Sequence, residues 1–200
     1  GGYPGMICLV SSYLFGEEPI HLSNIYWREE DTTQQFWTLP HIPGRRFGDI
    51  PLYVLTSKAT FSGGEMFASI LQSRGRAVVV GQKTDGGAHP GAAYRLHPHV
   101  EAFIPLGCAT NPLNGESLEG AGVTPDVDLP AEHALKAAYF MALKAVLARL
   151  GEPGKAPAEE ARTALNELTG GHAFCGGCGC PNPRAALTCQ HCGKDLPGAA

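Results

Sequence analysis

The stretch LTSKATFSGGEMFASIL, residues 55–71, decides how this chain is read. An apolar run closes on Thr56 and Ser57, crosses a short turn, and becomes an amphipathic helix carrying Met66, Phe67, Ile70 and Leu71 on one face. At the junction stands Ser62, followed by Gly63, Gly64 and Glu65. Ser-x-x-Glu is the capping-box pattern, so the plain reading is a helix cap. Two glycines directly after a capping serine argue for something more. Each weakens a helix start by about 1 kcal/mol relative to Ala, a cost that makes sense where something, such as a substrate carbonyl, must approach the backbone closely. The N–H groups at a helix N-terminus point outward and favour negative charge, which suits the oxyanion formed when a serine attacks a carbonyl.

Working outward, IPLYVLTS (50–57) predicts a compact buried strand and RAVVVG (76–81) a second, bounded by Gly75 and Gly81. Strand, helix, strand is a crossover unit, which sets two parallel strands in one sheet and predicts an α/β fold. MICLVSSYLF (6–15) could be helix or buried strand; its length and its position after Pro4 favour a helix. HLSNIYWRE and QQFWTL flank the polar turn EDTT as a hairpin, AAYRLH and VEAFIPLG are two further strands, and residues 131–151 form a long Ala/Leu-rich helix.

Two hundred residues at 44% hydrophobic and 17% charged suffice for one domain with a core. A formal net charge of −4 leaves no basic footprint, so nucleic acid is not an expected partner. No apolar run reaches the roughly 18 residues of a membrane span. The chain opens on Gly1-Gly2-Tyr3-Pro4-Gly5, so it is expected to be an N-terminally truncated portion of a longer protein.

Composition changes near residue 150. Residues 151–171 carry Pro and Gly around a short charged segment and are expected to be a linker with a helix; residues 172–196 form a miniature module. Of the seven cysteines, five crowd between Cys175 and Cys192. Cys175-x-x-Cys178 and Cys189-x-x-Cys192 are two matched pairs, each followed by a glycine, and Zn²⁺ prefers four such ligands in a tetrahedron. A module this small needs a metal to fold, so a structural Zn²⁺ is expected there. Cys180, His172 and His191 are surplus to four ligands. The pattern resembles the short zinc ribbons, whose role would be adaptor or docking piece toward a protein partner.

The segment from Leu55 to Gly91 resembles the tail-specific (C-terminal processing) serine peptidases, and within them the branch related to interphotoreceptor retinoid-binding protein and the tricorn core protease. The resemblance rests on TSKATFSGGEMFA, on GRAVVVGQKTDGGAHPG, and on IPLGCATNPLNGESLEGAGVTPDV downstream, three motifs in order, and it extends over residues 1–150. It implies a crotonase-like core of repeated ββα turns and hydrolysis of polypeptide bonds, with no cofactor for catalysis. Ser62 falls on the family's nucleophile; Gly63 and Gly2 fall where the family builds its oxyanion hole. Many tail-specific proteases use a lysine within T-F-G-K-G as base. The corresponding stretch here is Thr84-Asp85-Gly86-Gly87-Ala88, so Gly87 replaces that lysine and a Ser–Lys dyad at the usual position is excluded. Lys58 and Lys83 read as surface charges.

The tricorn-like arrangement has a serine, an upstream histidine and a late glutamate that orients the imidazole. Glu119 occupies the late position, with Glu116 as its neighbour; Asp126 reads as a turn residue. The histidine is then expected upstream of residue 1. His89, in GGAHPG, is the alternative base within the chain. A second class of function stays open: the same scaffold binds hydrophobic ligands in the retinoid-binding relatives, or serves as a non-catalytic adaptor. The clustered thiols suit the cytoplasm, whereas such peptidases are often exported, so no compartment is assigned.

Overall fold

A computed structural model describes residues 1–150 and 156–196. In chain order its elements begin with α1 (Pro4–Leu14), β1 (His21–Trp27), β2 (Thr32–Trp37), β3 (Tyr53–Thr56) and α2 (Gly63–Ser73). They continue with β4 (Val78–Gly81), β5 (Gly91–His97), β6 (Val100–Pro105), β7 (Gly107–Thr110) and β8 (Val127–Asp128). The last are α3 (Ala131–Leu150), α4 (Ala156–Gly171), β9 (His172–Phe174) and β10 (Pro181–Pro183). Residues 151–155, the expected start of the linker, lie outside the described residues. The chain divides into two compact units, one of residues 1–50, 58–77 and 84–123, the other of 51–57, 78–83 and 124 onward.

In the first unit Pro4 opens α1, where its missing N–H costs nothing. The helix buries Ile7, Cys8, Ser11 and Ser12 along one stripe. The Ser12 hydroxyl donates to the Cys8 carbonyl at 2.6 Å and accepts the Leu39 N–H at 2.7 Å, tying the helix to the chain beyond β2. β1 is the centre of an antiparallel sheet ordered β2-β1-β7. It buries Leu22, Ser23 and Ile25, while β2 is largely exposed. The turn between them holds Asp31 at φ 49°, with its carboxylate accepting the Tyr26 hydroxyl at 2.8 Å. β5 and β6 form a separate antiparallel hairpin. The strand expected through Gly107 ends instead at Pro105, which has no N–H for a ladder. The Leu106 and Gly107 amides turn to the Pro90 carbonyl, and β7 begins there as the partner of β1.

The second unit contains the parallel pair that the crossover pattern requires. β3 and β4 align with Tyr53 opposite Val78 and Thr56 opposite Gly81, and β8 joins β4 on its other side. β3 is shorter and more exposed than the apolar run 50–57 suggests, with Leu55 41% exposed. Its sheet has only three strands, and α3 covers it with the small residues Ala134, Ala137 and Ala138 packed on Val80 and Leu129. Small side chains let a helix approach a sheet closely, and each buried methyl adds about 0.8 kcal/mol. α4 packs on α3 through Ala158 and Ala161. Phe140 of α3 stacks flat on Phe174 of β9, with centroids 4.2 Å apart and planes 3° from parallel. The His191 ring meets the Asp128 carbonyl at 2.9 Å.

Candidate active site

Ser62 is the N-cap of α2, but its backbone is not that of an ordinary cap. N-caps are normally extended; Ser62 has φ 54° and ψ −122°. A non-glycine residue held there carries strain of about 1–3 kcal/mol, and such strain concentrates at functional sites. Residues 57–61 separate the end of β3 from Ser62, which stands directly ahead of the first helical residue. Ser62 is exposed, and its carbonyl takes the first helical hydrogen bond, from the Met66 N–H at 3.0 Å.

The glycines have a structural reason. A Cβ on Gly63 would lie 2.6 Å from the Gly2 oxygen and 2.7 Å from the Gly2 nitrogen. The close approach at Gly63 is thus made by the chain's own leading loop, where the sequence suggested a substrate carbonyl. Gly64 has more room, its nearest neighbour being the Thr60 methyl at 3.5 Å. Gly2, Ser62 and Gly63 line one cavity of about 210 Å³, whose apolar wall is Leu22, Ile25, Met66, Ile70 and Ala109. Gly63 is the first residue of the helix, where an N–H has no intrahelical acceptor.

Glu65 closes the turn from within. Its carboxylate accepts the Ser62 N–H at 2.7 Å, the carboxylate half of a capping box. It also accepts the Gly86 N–H at 2.7 Å and the Gly87 N–H at 2.9 Å. Burial pushes its pKa upward, but the Thr84 hydroxyl and the Gly87, Gly86 and Ser62 amides outweigh this and hold it below the ordinary carboxylate value. Thr84 in turn accepts the Val123 N–H at 2.7 Å, and the Gly86 carbonyl accepts the Gly120 N–H at 2.8 Å. Gly86 sits at φ +92°, where a Cβ would strike the Gly122 nitrogen and the Leu118 oxygen.

Glu119 and His89 come together on the neighbouring loop. Glu119 Oε2 accepts the Ala88 N–H at 2.7 Å and the His89 N–H at 3.0 Å, while His89 Nδ1 lies 3.7 Å away. That last separation is an ion-pair distance, beyond hydrogen-bond range. Ala88 lines the cavity with Ser62; His89 and Glu119 do not, whereas Glu116 does. Lys58 and Lys83 are exposed and do not line it. At position 87, a Cβ would meet the Phe61 ring at 2.1 Å, so the aromatic ring occupies the space a longer side chain would enter. Asp126 accepts the Val79 N–H at 2.7 Å and returns its own N–H to the Val79 carbonyl at 2.9 Å, clamping the end of its loop to β4.

Residues 7–129 match peptidase family S41. The chain belongs to this family. Over 89 residues the S41 chain is 33% identical to a carboxyl-terminal-processing protease of a Picosynechococcus species, covering 44% of the chain and 21% of that protein. Its structure resembles the photosystem II D1 C-terminal processing protease with a TM-score of 0.53 at 20% identity, covering 66% of this chain and 33% of the other. A putative peptidase from Parabacteroides merdae gives 0.56 at 19% identity, covering 72% and 49%. At these identities the structural likeness speaks for the mixed α/β fold. The S41 chain spans between about a fifth and a half of the lengths of these relatives.

The cysteines of residues 175–192 form a cluster of their own. The Sγ atoms of Cys175, Cys178, Cys189 and Cys192 all lie within 4.8 Å of one another, with Cys175–Cys192 and Cys178–Cys189 each at 3.6 Å. Four sulfurs about 2.3 Å from a tetrahedral ion stand about 3.8 Å apart, so the set fits a metal ion. Burial raises the Cys189 pKa, but the Cys192 and His191 amides, the Asn182 side chain and the Cys178 thiol bring it down, while burial pushes the Cys178 thiol up. Cys180 is buried with its thiol pushed up to about 11, burial being the main cause. No helix among the described residues is long and apolar enough to cross a membrane.

Sequence reasoning took Glu65 for a cap partner and saw nothing in Phe61. A pair of glycines at 86 and 87, able to offer bare amides to a buried acid, was the available signal.

Proposed function

We propose that this S41 chain is the nucleophile-bearing portion of a serine endopeptidase acting on polypeptides. The observation that carries the reading is Ser62: a strained residue at the N-cap of α2, lining one cavity with Gly2 and Gly63. Ser62 Oγ attacks the scissile carbonyl carbon as a base removes its proton, and the Gly63 and Gly2 amides hold the oxyanion. The C–N bond then breaks, the base returns the proton to the amine, and a serine ester is left. Water adds to the ester with the same base as proton acceptor, releasing the acid product and restoring Ser62. Glu119 is the residue that orients the basic imidazole. We assign that imidazole to a histidine outside these 200 residues, because His89 does not line the cavity. His89 as base is the alternative, favoured by its 3.7 Å approach to Glu119.

The parallel β3-β4-β8 sheet with its crossover helix supports a crotonase-like ββα spiral as the frame. The domain scheme is protease 1–150, linker 151–171 and zinc ribbon 172–196, the four cysteines binding one structural Zn²⁺ in a module that serves stability or docking to a protein partner. The apolar wall of the cavity also favours one rival, a non-catalytic scaffold for a hydrophobic ligand. Fluorophosphonate labelling of the full-length protein, its Ser62→Ala variant and residues 1–200 distinguishes them. Labelling of the full-length wild type alone fits an external base. Equal labelling of residues 1–200 points to a base within them: His89, Lys58 or Lys83. No labelling, with saturable uptake of a fluorescent fatty acid, overturns the peptidase reading.

A further inference from the structure

We infer that Glu65 is a positioning residue of this site, its buried carboxylate fastening the Ser62 turn to the Gly86–Gly87 strap. The role given to Ser62 rests on the peptidase reading above; the fastening itself is geometric. A capping box asks one hydrogen bond of its glutamate, to the N-cap amide, and usually leaves the side chain in water. Glu65 is 0% exposed and goes further. Besides Ser62 it takes the amides of Gly86 and Gly87, more than twenty residues along the chain, together with the Thr84 hydroxyl.

Every group named around the carboxylate is a donor, so only an acceptor with no hydrogen of its own satisfies the shell. Glutamine would turn an NH₂ toward an amide N–H, and aspartate falls one methylene short of spanning both ends. Among the described residues no Lys, Arg or His forms an ion pair with Glu65, so backbone dipoles compensate the charge. The bond from the Ser62 N–H fixes the peptide plane before the strained residue. The bond from Gly87 fixes a second wall of the same cavity. Glu65 thus sets the distance between nucleophile and strap without lining the cavity itself.

The test compares Glu65→Gln with wild type in the full-length protein by fluorophosphonate labelling, peptide hydrolysis and amide hydrogen exchange. Expected is a fall of about 100-fold in labelling rate and kcat, the loss that follows misplacing a reacting group by about 1 Å. KM should stay within about 2-fold, since no substrate contact is removed. Exchange should accelerate at Ser62, Gly86 and Gly87 and stay unchanged at Val79 and Val80. A Glu65→Gln protein that labels within about 2-fold of a reactive wild type overturns the inference alone. A wild type that never labels overturns the peptidase reading; exchange then judges the fastening, and unaltered protection at the three amides refutes it. If Glu65→Gln does not fold, Thr84→Val removes one donor to Glu65, together with the acceptor of the Val123 N–H, and should slow labelling at least about 5-fold, the worth of one hydrogen bond. A wild-type rate in Thr84→Val refutes the inference there.

Discussion

Replacing Gly63 with alanine tests the leading loop and the oxyanion assignment together. The new methyl would stand 2.6 Å from the Gly2 oxygen, 2.7 Å from its nitrogen and 3.0 Å from its carbonyl carbon, against 3.4 Å where ordinary contact begins. The shortfall is about 0.8 Å, and all three obstacles are backbone atoms that cannot swing aside as a side-chain tip would. Overpacking of this kind costs about 1–3 kcal/mol, while alanine in place of glycine returns about 1 kcal/mol of helix propensity. The net expectation is a loss of up to about 2 kcal/mol, or a Tm lowered by as much as about 4–8 °C in a protein of this size. Reactivity should suffer more. If Gly2 and Gly63 hold the oxyanion, moving one by nearly 1 Å should slow labelling at Ser62 about 100-fold. Gly64→Ala is the control: its methyl meets nothing nearer than 3.5 Å, so it should gain about 1 kcal/mol and label normally. Differential scanning fluorimetry and a fluorophosphonate time course on both variants decide the matter. A Gly63→Ala protein as stable and reactive as Gly64→Ala would refute the steric argument and remove Gly2 from the oxyanion hole.

Gly87→Ala should cost about 1 kcal/mol beside Phe61 and nearly nothing in a Phe61→Ala background, because the ring tip, 53% exposed, can be displaced. A double-mutant cycle by denaturant unfolding reads that coupling directly. Zinc analysis of the purified protein should find one ion per chain. Removing it, by chelator or Cys189→Ser, should expose residues 172–196 to hydrogen exchange, since metal affinity supplies the folding energy of such modules. Acid should probe Glu65 with a definite sign. Its folded pKa lies below the ordinary 4.5, so its contribution is full above that value and disappears as pH falls through the lower, folded one. The Tm difference between wild type and Glu65→Gln should therefore be flat above about pH 5.5 and shrink below about pH 4.5.

Much of the fold was legible because its signals are local. Pro4 and the length of the run behind it favour α1 over a buried strand, the EDTT turn announces the β1–β2 hairpin, and strand-helix-strand announces the parallel pair. The CxxC spacing announces sulfurs that close to 3.6 Å across the cluster. What escaped depends on partners distant in sequence. Nothing near Gly107 says that it pairs with Trp27, or that Pro105 ends one strand and frees the next. The glycine pair after Ser62 implied a close approach, yet Gly2 as the approaching group is fixed only by tertiary packing. Ser-x-x-Glu correctly identified a capping pair; that the same carboxylate also binds residues 84–87 is a fact of burial. The φ of Ser62 is likewise set by the turn around it, which residue type does not encode.

Phe61 over Gly87 bears on how such a site can change over evolutionary time. A longer side chain arriving at position 87 would meet the ring, but a ring tip that is 53% exposed can swing aside, so the encounter is a burden of about 1 kcal/mol and not a bar. Loss of Phe61 first would lift even that, so the position stays open to change by single steps in either order.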